Sequence, residues 1–482
     1  MSMKRMQRAT ILLGLAALSA PATGCALDGA AESDPDLEVS EGNGGRAIES
    51  PPLSPILTSI ETARAIDRAR QRDGGKPDRG ARAGSAGRAA AAPMGGGPIT
   101  VQGRVLQLPG SKASFLPVAI IGQGAALADA NGNFTIPNVT TPYDVVIGYH
   151  DASGTSMVLY QGLTRADPRL IAFVRTDRSA MVAGTVSGGA GYPLPPDHET
   201  MMSLSTDHGS GAGGAAADPT TGDYDLFADW TFARTTTAHL TAVQYEVDGS
   251  GLLSNATGAA AMNFPISNGA AVVMPVALPP AMTTTIEGSY TYPAGYTFGG
   301  KGMYVESPSF GLLSLPASPV DSGLFSLNAP VVAGRSSMLA ILALSPLDSS
   351  TYVLARDIPP GTVDLDLEVP EAVHTLFPFD GSTGVTYTTP FMTTDFTVGV
   401  HIFSFSSASG PTYYVMSADP VAHIPDLSSF AVFLPPSTAY TMSVIGIGPF
   451  ADLDDFTGPT APLPSPLLYL SGATSINFTT AP

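Results

Sequence analysis

The chain has 482 residues, of which 44% are apolar and only 13% charged, with a formal net charge of −19. That length exceeds one ordinary domain, and the apolar content can build several cores. Residues 100–482 hold 10 Lys/Arg against 30 Asp/Glu, a surface that repels nucleic-acid phosphates and excludes DNA or RNA as partners; no later apolar run of 18 residues offers further membrane helices.

The first predicted element is a secretory signal. Lys4, Arg5 and Arg8 form a basic start, residues 11–18 a short apolar stretch, and residues 19–24 a small-residue, turn-forming end. The apolar stretch is well short of the roughly 20 residues that cross a bilayer. The segment closes in Ala22-Thr23-Gly24-Cys25, and Cys25 is the only cysteine in the chain. This ending resembles the lipobox of bacterial lipoproteins, with Ala22 in place of the usual leucine. The resemblance implies that residues 1–24 are a signal peptide. Cys25 would then be diacylated, become the mature N-terminus and serve as the lipid attachment site. Two or more acyl chains give stable membrane anchoring. A lipidated cysteine also accounts for a single thiol in an exported protein. The expected location is the bacterial cell envelope, lipid-anchored at the outer membrane or cell surface.

Residues 25–97 read as a disordered tether. Their first part is acidic and polar, Pro51, Pro52 and Pro55 stiffen the next, and residues 58–72 suit a short helix with Ile60, Ala63 and Ile66 on one side. Residues 74–97 are rich in Gly, Ala and Arg and cannot bury enough apolar area to fold. Arg64, Arg68, Arg70, Arg72, Lys76, Arg79, Arg82 and Arg88 crowd this stretch. They form either a solvated basic linker or a group drawn to anionic lipid headgroups or an acidic envelope polymer.

From Ile99 the pattern becomes alternating and rich in turn signals, which predicts an all-β fold. Three segments open alike: Val101-Gln102-Gly103-Arg104-Val105, Val182-Ala183-Gly184-Thr185-Val186 and Ile286-Glu287-Gly288-Ser289-Tyr290. The alternating apolar positions face one side of a strand, and the central glycine predicts a close backbone approach or a bulge. Each opening is followed by a second shared element. Asp129 to Ile136, Asp218 to Leu226, and Asp321 to Leu327 each carry a tight turn, then an aromatic and an aliphatic residue two places apart. A further alternating strand follows each, at 145–149, 240–247 and 338–344. The third unit closes on a strand over 362–369. Openings 81 and 104 residues apart fit sandwich modules rather than a solenoid.

These units resemble the carboxypeptidase regulatory-like domain, a transthyretin-like sandwich with a carbohydrate-binding-like fold. The first matches best: its opening strand, Pro117-Val118-Ala119-Ile120-Ile121-Gly122 and the Asp129 to Ile136 turn follow the family's order. The resemblance implies a structural or spacer module and supplies no sugar site by itself. Residues 434–444, Leu434-Pro435-Pro436-Ser437-Thr438-Ala439-Tyr440-Thr441-Met442-Ser443-Val444, resemble the fibronectin type III signature. That likeness implies that the Tyr440 hydroxyl bonds back to backbone near residues 434–437. Residues 378–385 would be the first strand and its bend, and His401 to Phe405 stand where that family has its strand-C tryptophan. The expected modules are therefore sandwiches of immunoglobulin or transthyretin-like type at 98–178, 179–282 and 283–371, with a fibronectin type III-like sandwich at 372–482.

No catalytic constellation stands out, and no cofactor or metal site is assigned. His198-Glu199 begins like a zinc-protease motif, but Met202 fills the second ligand position. Asp197-His198 and Asp207-His208 would form a metal site only if a hairpin joined them; otherwise they are loop residues. Asp364, Asp366 and Glu368 would share one strand face, neighbours about 6–7 Å apart, as a calcium-bridging surface or a solvated one. Asp129 to Asn133 has a calcium-loop flavour but fits a hairpin turn. Tyr290, Tyr292, Tyr296, Phe298 and Tyr304 could stack on sugars. Tyr290 and Tyr292 share parity with Ile286 and so belong with the core, while Tyr296 and Phe298 read as loop-borne. Asn133, Asn138, Asn255 and Asn477 match the glycosylation pattern, which has little meaning in a bacterial lipoprotein. The expectation is a non-catalytic, lipid-anchored envelope protein for scaffolding, adhesion or ligand binding. Its partners would be the membrane through the lipid and a glycan or protein ligand. The alternatives are a glycan-binding lipoprotein and, more remotely, a hydrolase with an unrecognised site.

Overall fold

The computed structural model describes residues 97–482 except 108–110, 113–115, 152–153, 173–177, 208–212, 231–233, 308–311, 317–319, 429–431 and 459–466. Cys25, the tether, the 58–72 segment and His208 lie outside the described residues. The described residues are almost entirely β, with one short helix at Leu453–Phe456.

Three successive units share one plan. In each, the opening strand is central to a small sheet. Ile99–Gln107, Arg178–Gly188 and Met282–Thr291 pair antiparallel with Asn133–Val139, Asp223–Trp230 and Leu324–Val331 respectively. On its other side each opening strand pairs parallel with a late strand of its unit: Arg169–Ala172, Ala271–Val273 with Val276–Leu278, and Leu365–Glu368. The facing sheet is a four-stranded antiparallel array in the same order each time. In the second unit that order is Gly213–Ala216, His198–Thr206, Thr235–Val247, Leu253–Ser267.

The glycine at the centre of each opening has a common cause. Gly103 stands opposite Phe134, Gly184 opposite Tyr224 and Gly288 opposite Phe325. A Cβ at Gly103 would lie 2.3 Å from Phe134 Cζ and 2.8 Å from the Pro168 carbonyl oxygen. One at Gly184 would lie 2.3 Å from the Met274 carbonyl oxygen, and one at Gly288 1.9 Å from that of Leu365. The expected close approach is thus the returning parallel strand, joined in the first and third units by the aromatic ring of the turn strand. In the second, the Tyr224 hydroxyl donates to Met274 O instead.

The preceding turns are built by their aspartates. Asp129 Oδ1 accepts from Asn131 N at 2.7 Å and Asn133 N at 2.9 Å, and Asp218 Oδ1 accepts from Thr220 N at 2.7 Å and Thr221 N at 2.9 Å. These backbone donors, Asn133 foremost for Asp129 and Thr221 for Asp218, hold both carboxyls below the usual carboxylate range. Asp129 to Asn133 is therefore a turn stabilised by its own side chain.

Residues 375–480 form a different sandwich. Thr375–Phe377, Phe391–Thr393 and Val421–Ala422 make one sheet. Thr412–Ser417, Val400–Ser406 and Ala439–Gly448 make the other, continued by Leu467–Gly472 and Ile476–Thr480. Residues 378–381 are not strand; Ser382–Val385 is a separate strand running parallel to Ile476–Thr480. Phe391, Phe405, Phe478 and Tyr440 fill the centre, with the Tyr440 and Phe478 rings stacked at 5.6 Å.

Tyr440 is buried, but its hydroxyl does not make the expected bond. It has no hydrogen-bond partner among the described residues, and burial pushes its pKa up. The backbone it would have reached is served by other rings: Tyr413 Oη donates to Phe433 O at 3.2 Å, and Leu434 N donates to Tyr387 Oη. Tyr440→Phe should therefore leave the chain as stable or stabilise it by up to about 1 kcal/mol, since it removes an unpaired buried polar atom. A denaturation midpoint that falls clearly would contradict this.

The sheets do not stop at unit boundaries. Gly154–Leu163 of the first unit pairs in parallel with Thr412–Ser417, and Ser350–Ile358 of the third pairs antiparallel with Leu467–Gly472. One continuous path of strands thus runs from the third unit through the last sandwich to the first. Ala119, Val146, Met157 and Leu159 of the first unit enter the last sandwich's core. The short helix pins the same junction: its N-terminal cap is Asp452, and Asp454 accepts from Thr164 N at 3.0 Å and Arg165 N at 3.2 Å. Val243, Tyr245 and Leu253 of the second unit share the third unit's core.

Candidate functional site

The small sheet of the third unit carries two of the alternating carboxylates the sequence pointed to, Asp364 and Asp366. An open groove of about 810 Å³ crosses it, lined by Glu287, Ser289, Lys301, Ser326, Asp364 and Asp366 among others. Two of the groove's three carboxylates are already engaged. Ser289 Oγ donates to Asp366 Oδ1 at 2.7 Å, and Ser326 Oγ donates to Glu287 Oε1 at 3.1 Å. Lys301 donates to the carbonyls of Val320 at 3.2 Å and Leu324 at 3.3 Å, and its ammonium sits 5.7 Å from the Tyr290 ring centre. Partial burial holds its pKa below the ordinary lysine value.

The three alternating carboxylates do not share one strand face. The strand begins at Leu365, and Asp364 before it has φ +59°. Asp366 and Glu368 are exposed on the strand, and Glu368 opens into a second cleft of about 540 Å³ beside Tyr292, Glu371 and Tyr469. No group of three His, Cys, Asp or Glu suited to a metal ion occurs among the described residues.

The aromatic cluster is packed against itself. Tyr290 is buried with Ile286, as its parity predicted, and lies 5.5 Å from Phe298. Both Tyr290 and Tyr292 donate to Asp321, at 2.9 and 2.6 Å. The Tyr292 hydroxyl is the main reason the Asp321 carboxyl stays below its usual range. Phe298 lies on the strand Thr297–Glu306 rather than in a loop, and Tyr296, in the loop, accepts from Ala372 N at 2.9 Å. These rings fix the turn and the linker to the last sandwich. They do not form a flat open platform.

The histidine pairs are not joined. His198 and Asp207 sit at opposite ends of His198–Thr206, about 30 Å apart by strand rise. Asp207 instead meets His239 Nε2 at 2.9 Å, and His239 Nδ1 meets Asn263 Oδ1 at 2.9 Å. Arg335 of the third unit reaches Asn263 Oδ1 at 3.3 Å and donates to Thr241 Oγ1 at 2.7 Å. Sequence reasoning missed this network, since His239, Asn263 and Arg335 meet only through sheet register and unit packing. Both ring nitrogens of His239 are engaged, Nε2 by Asp207 and Nδ1 by Asn263.

No protein-family model matches the chain, and no curated protein matches it. Among solved structures it is similar to the Bacillus anthracis TIE protein, at 10% identity over 57% of this chain and 50% of that one, with a TM-score of 0.16. The match thus spans about half of that protein's length. It is also similar to BcpA, the major pilin subunit of Bacillus cereus, at 8% identity over 56% of this chain and 99% of that one, TM-score 0.13. A Streptococcal ancillary pilin matches at 10% identity over 56% of this chain and all of that one, TM-score 0.14. Scores this low do not assign the chain to any of these folds.

Proposed function

We propose that this chain is a non-catalytic, lipid-anchored protein of the bacterial envelope whose sandwiches act together as a presentation or adhesion body. The observation that carries the reading is the fusion of the units. A strand path shared by the first, last and third units, with a core shared by the second and third, makes one stiff body rather than an enzyme cleft on a scaffold. The lipobox-like ending at Cys25 supplies the anchor, and the 26–97 stretch supplies the spacing. The repeated strand plan supports the regulatory-like resemblance of the three units. The two-sheet order of residues 375–480 supports the fibronectin type III-like one, without its tyrosine bond. The glycan-binding alternative has less behind it, because the third unit's rings are spent on packing.

Cys25→Ser tests the anchor. The wild type should fractionate with membranes and carry acyl mass, while the variant should be recovered soluble. A variant that stays with membranes, beside a wild type without acyl mass, would sink the reading.

A further inference from the structure

Each sandwich unit presents the same strand at the end of its small sheet, and the three ends are not alike. Asn133–Val139 is interrupted by Pro137, followed by Asn138 at φ +59°. Leu324–Val331 contains Pro330 and is covered by the second unit, to which Asn328 Nδ2 donates at Leu253 O (3.2 Å) and Ser254 O (3.1 Å). Both are the usual ways of blunting an edge. Among the described residues, Asp223–Trp230 has neither device. It is eight residues long, without proline, and pairs with Arg178–Gly188 from Asp223↔Thr185 to Trp230↔Arg178 with no register shift.

Its free edge can be read residue by residue. Val186 N donates to Gly222 O, which fixes the phase of the antiparallel ladder. The even positions from Tyr224 therefore bond inward, and Asp223, Asp225, Phe227 and Asp229 direct their N–H and C=O outward. Asp223 is taken by its turn, and Asp229 O accepts from Thr206 Oγ1 at 3.3 Å. Among the described residues, nothing pairs with the outward backbones of Asp225 and Phe227, which remain for an added strand. The side chains of the same four residues lie on the exposed face, and Phe227 is 60% exposed.

That face reads Asp, Asp, Phe, Asp at period two. The chain contains its antiparallel complement outside the described residues. Arg64, Ile66, Arg68 and Arg70 alternate at the same period. In one register Ile66 faces Phe227, with Arg64, Arg68 and Arg70 facing Asp229, Asp225 and Asp223. Opposite charges and apolar pairs directly across an antiparallel ladder are mutually stabilising. Ala65 and Ala69 are small enough for the sandwich margin. Asp67 falls beside buried Leu226, an inward charge that weakens the addition. The 27 residues from Arg70 to Gly97 span up to about 90 Å extended, ample to reach this edge.

We propose that residues 64–70, which in isolation suit a short helix, add instead as an antiparallel strand to the free edge of Asp223–Trp230 in the same chain, shielding that edge with the basic leader. The mode is strand addition: main-chain bonds give affinity, and alternate side chains give register.

Hydrogen exchange of the full chain at low salt tests it. Residues 64–70 should exchange at least ten-fold more slowly than the same sequence as a free peptide. Phe227→Pro gives this edge the proline that the first unit carries at the equivalent Pro137, and should abolish the protection. Asp225→Arg should also abolish it, and adding Arg68→Asp should restore it. The restored pair keeps the test decisive should the proline variant fold poorly. Free-peptide exchange in the wild type overturns the proposal, as does protection indifferent to both edge variants. Protection that rises with protein concentration overturns it in favour of a second copy. Protection that needs anionic vesicles overturns it in favour of a lipid surface.

Discussion

Glu306→Ala should destabilise the chain by about 3–5 kcal/mol. Glu306 and Arg356 are 5% and 9% exposed, and Arg356 Nη2 lies 2.8 Å from Glu306 Oε1. They sit on the two strands flanking Ser336–Leu344, so the pair spans a central strand of the third unit. Truncating the acid deprives the buried guanidinium of this carboxylate where water can hardly reach it. The attraction the pair loses is smaller than the desolvation left uncompensated. The same physics gives the control: Glu306→Leu with Arg356→Met removes both charges and should restore most of the loss. Denaturant midpoints of the full chain would measure both. A Glu306→Ala midpoint close to wild type would show that the pair is solvated in solution.

Gly288→Ala should cost about 3 kcal/mol, at the upper end for an overpacked site. The added carbon would sit 1.9 Å from the Leu365 carbonyl oxygen and 2.6 Å from Phe325 Cζ. A ring can tilt away, but a carbonyl in a paired strand moves only with its strand. Relief therefore requires the parallel pairing of Met282–Thr291 with Leu365–Glu368 to open. Gly249→Ala is the matched control, since a Cβ there meets nothing within 4 Å. The two variants should separate clearly in a thermal melt, and equal melting points would refute the close-approach explanation.

The repeating plan of the three units was legible because it is local. Alternation places Val101, Val105, Val182, Val186, Ile286 and Tyr290 inward, and the aspartate turns announce themselves in composition. The joins between units were not legible. A strand at a sheet's end and one that continues into another unit carry the same alternation, and pairing between residues 156 and 412 leaves no periodic trace. A partial signal existed: Met157, Val158, Leu159 and Tyr160 form an unbroken apolar run buried on both faces, as strands inside a wide sheet do. The tyrosine corner failed for a different reason. Residues 434–444 match the motif locally, but Tyr413 and Tyr387 arrive from elsewhere and take the backbone at 433 and 434. The contact of Asp207 with His239 likewise depends on register, so the spacing of Asp207 from His198 said nothing about it.

The parallel seam between Gly154–Leu163 and Thr412–Ser417 also sets a timetable. The two strands are separated by about 250 residues. At the usual pace of synthesis, roughly 5–20 residues per second, the partner emerges some 10–50 s after the first strand. Until then Met157 and Leu159 have no last sandwich to enter, and the edge beside them can accept any strand that passes. The hazard to this protein is greatest while it is half made, and it ends when the late strand closes the seam.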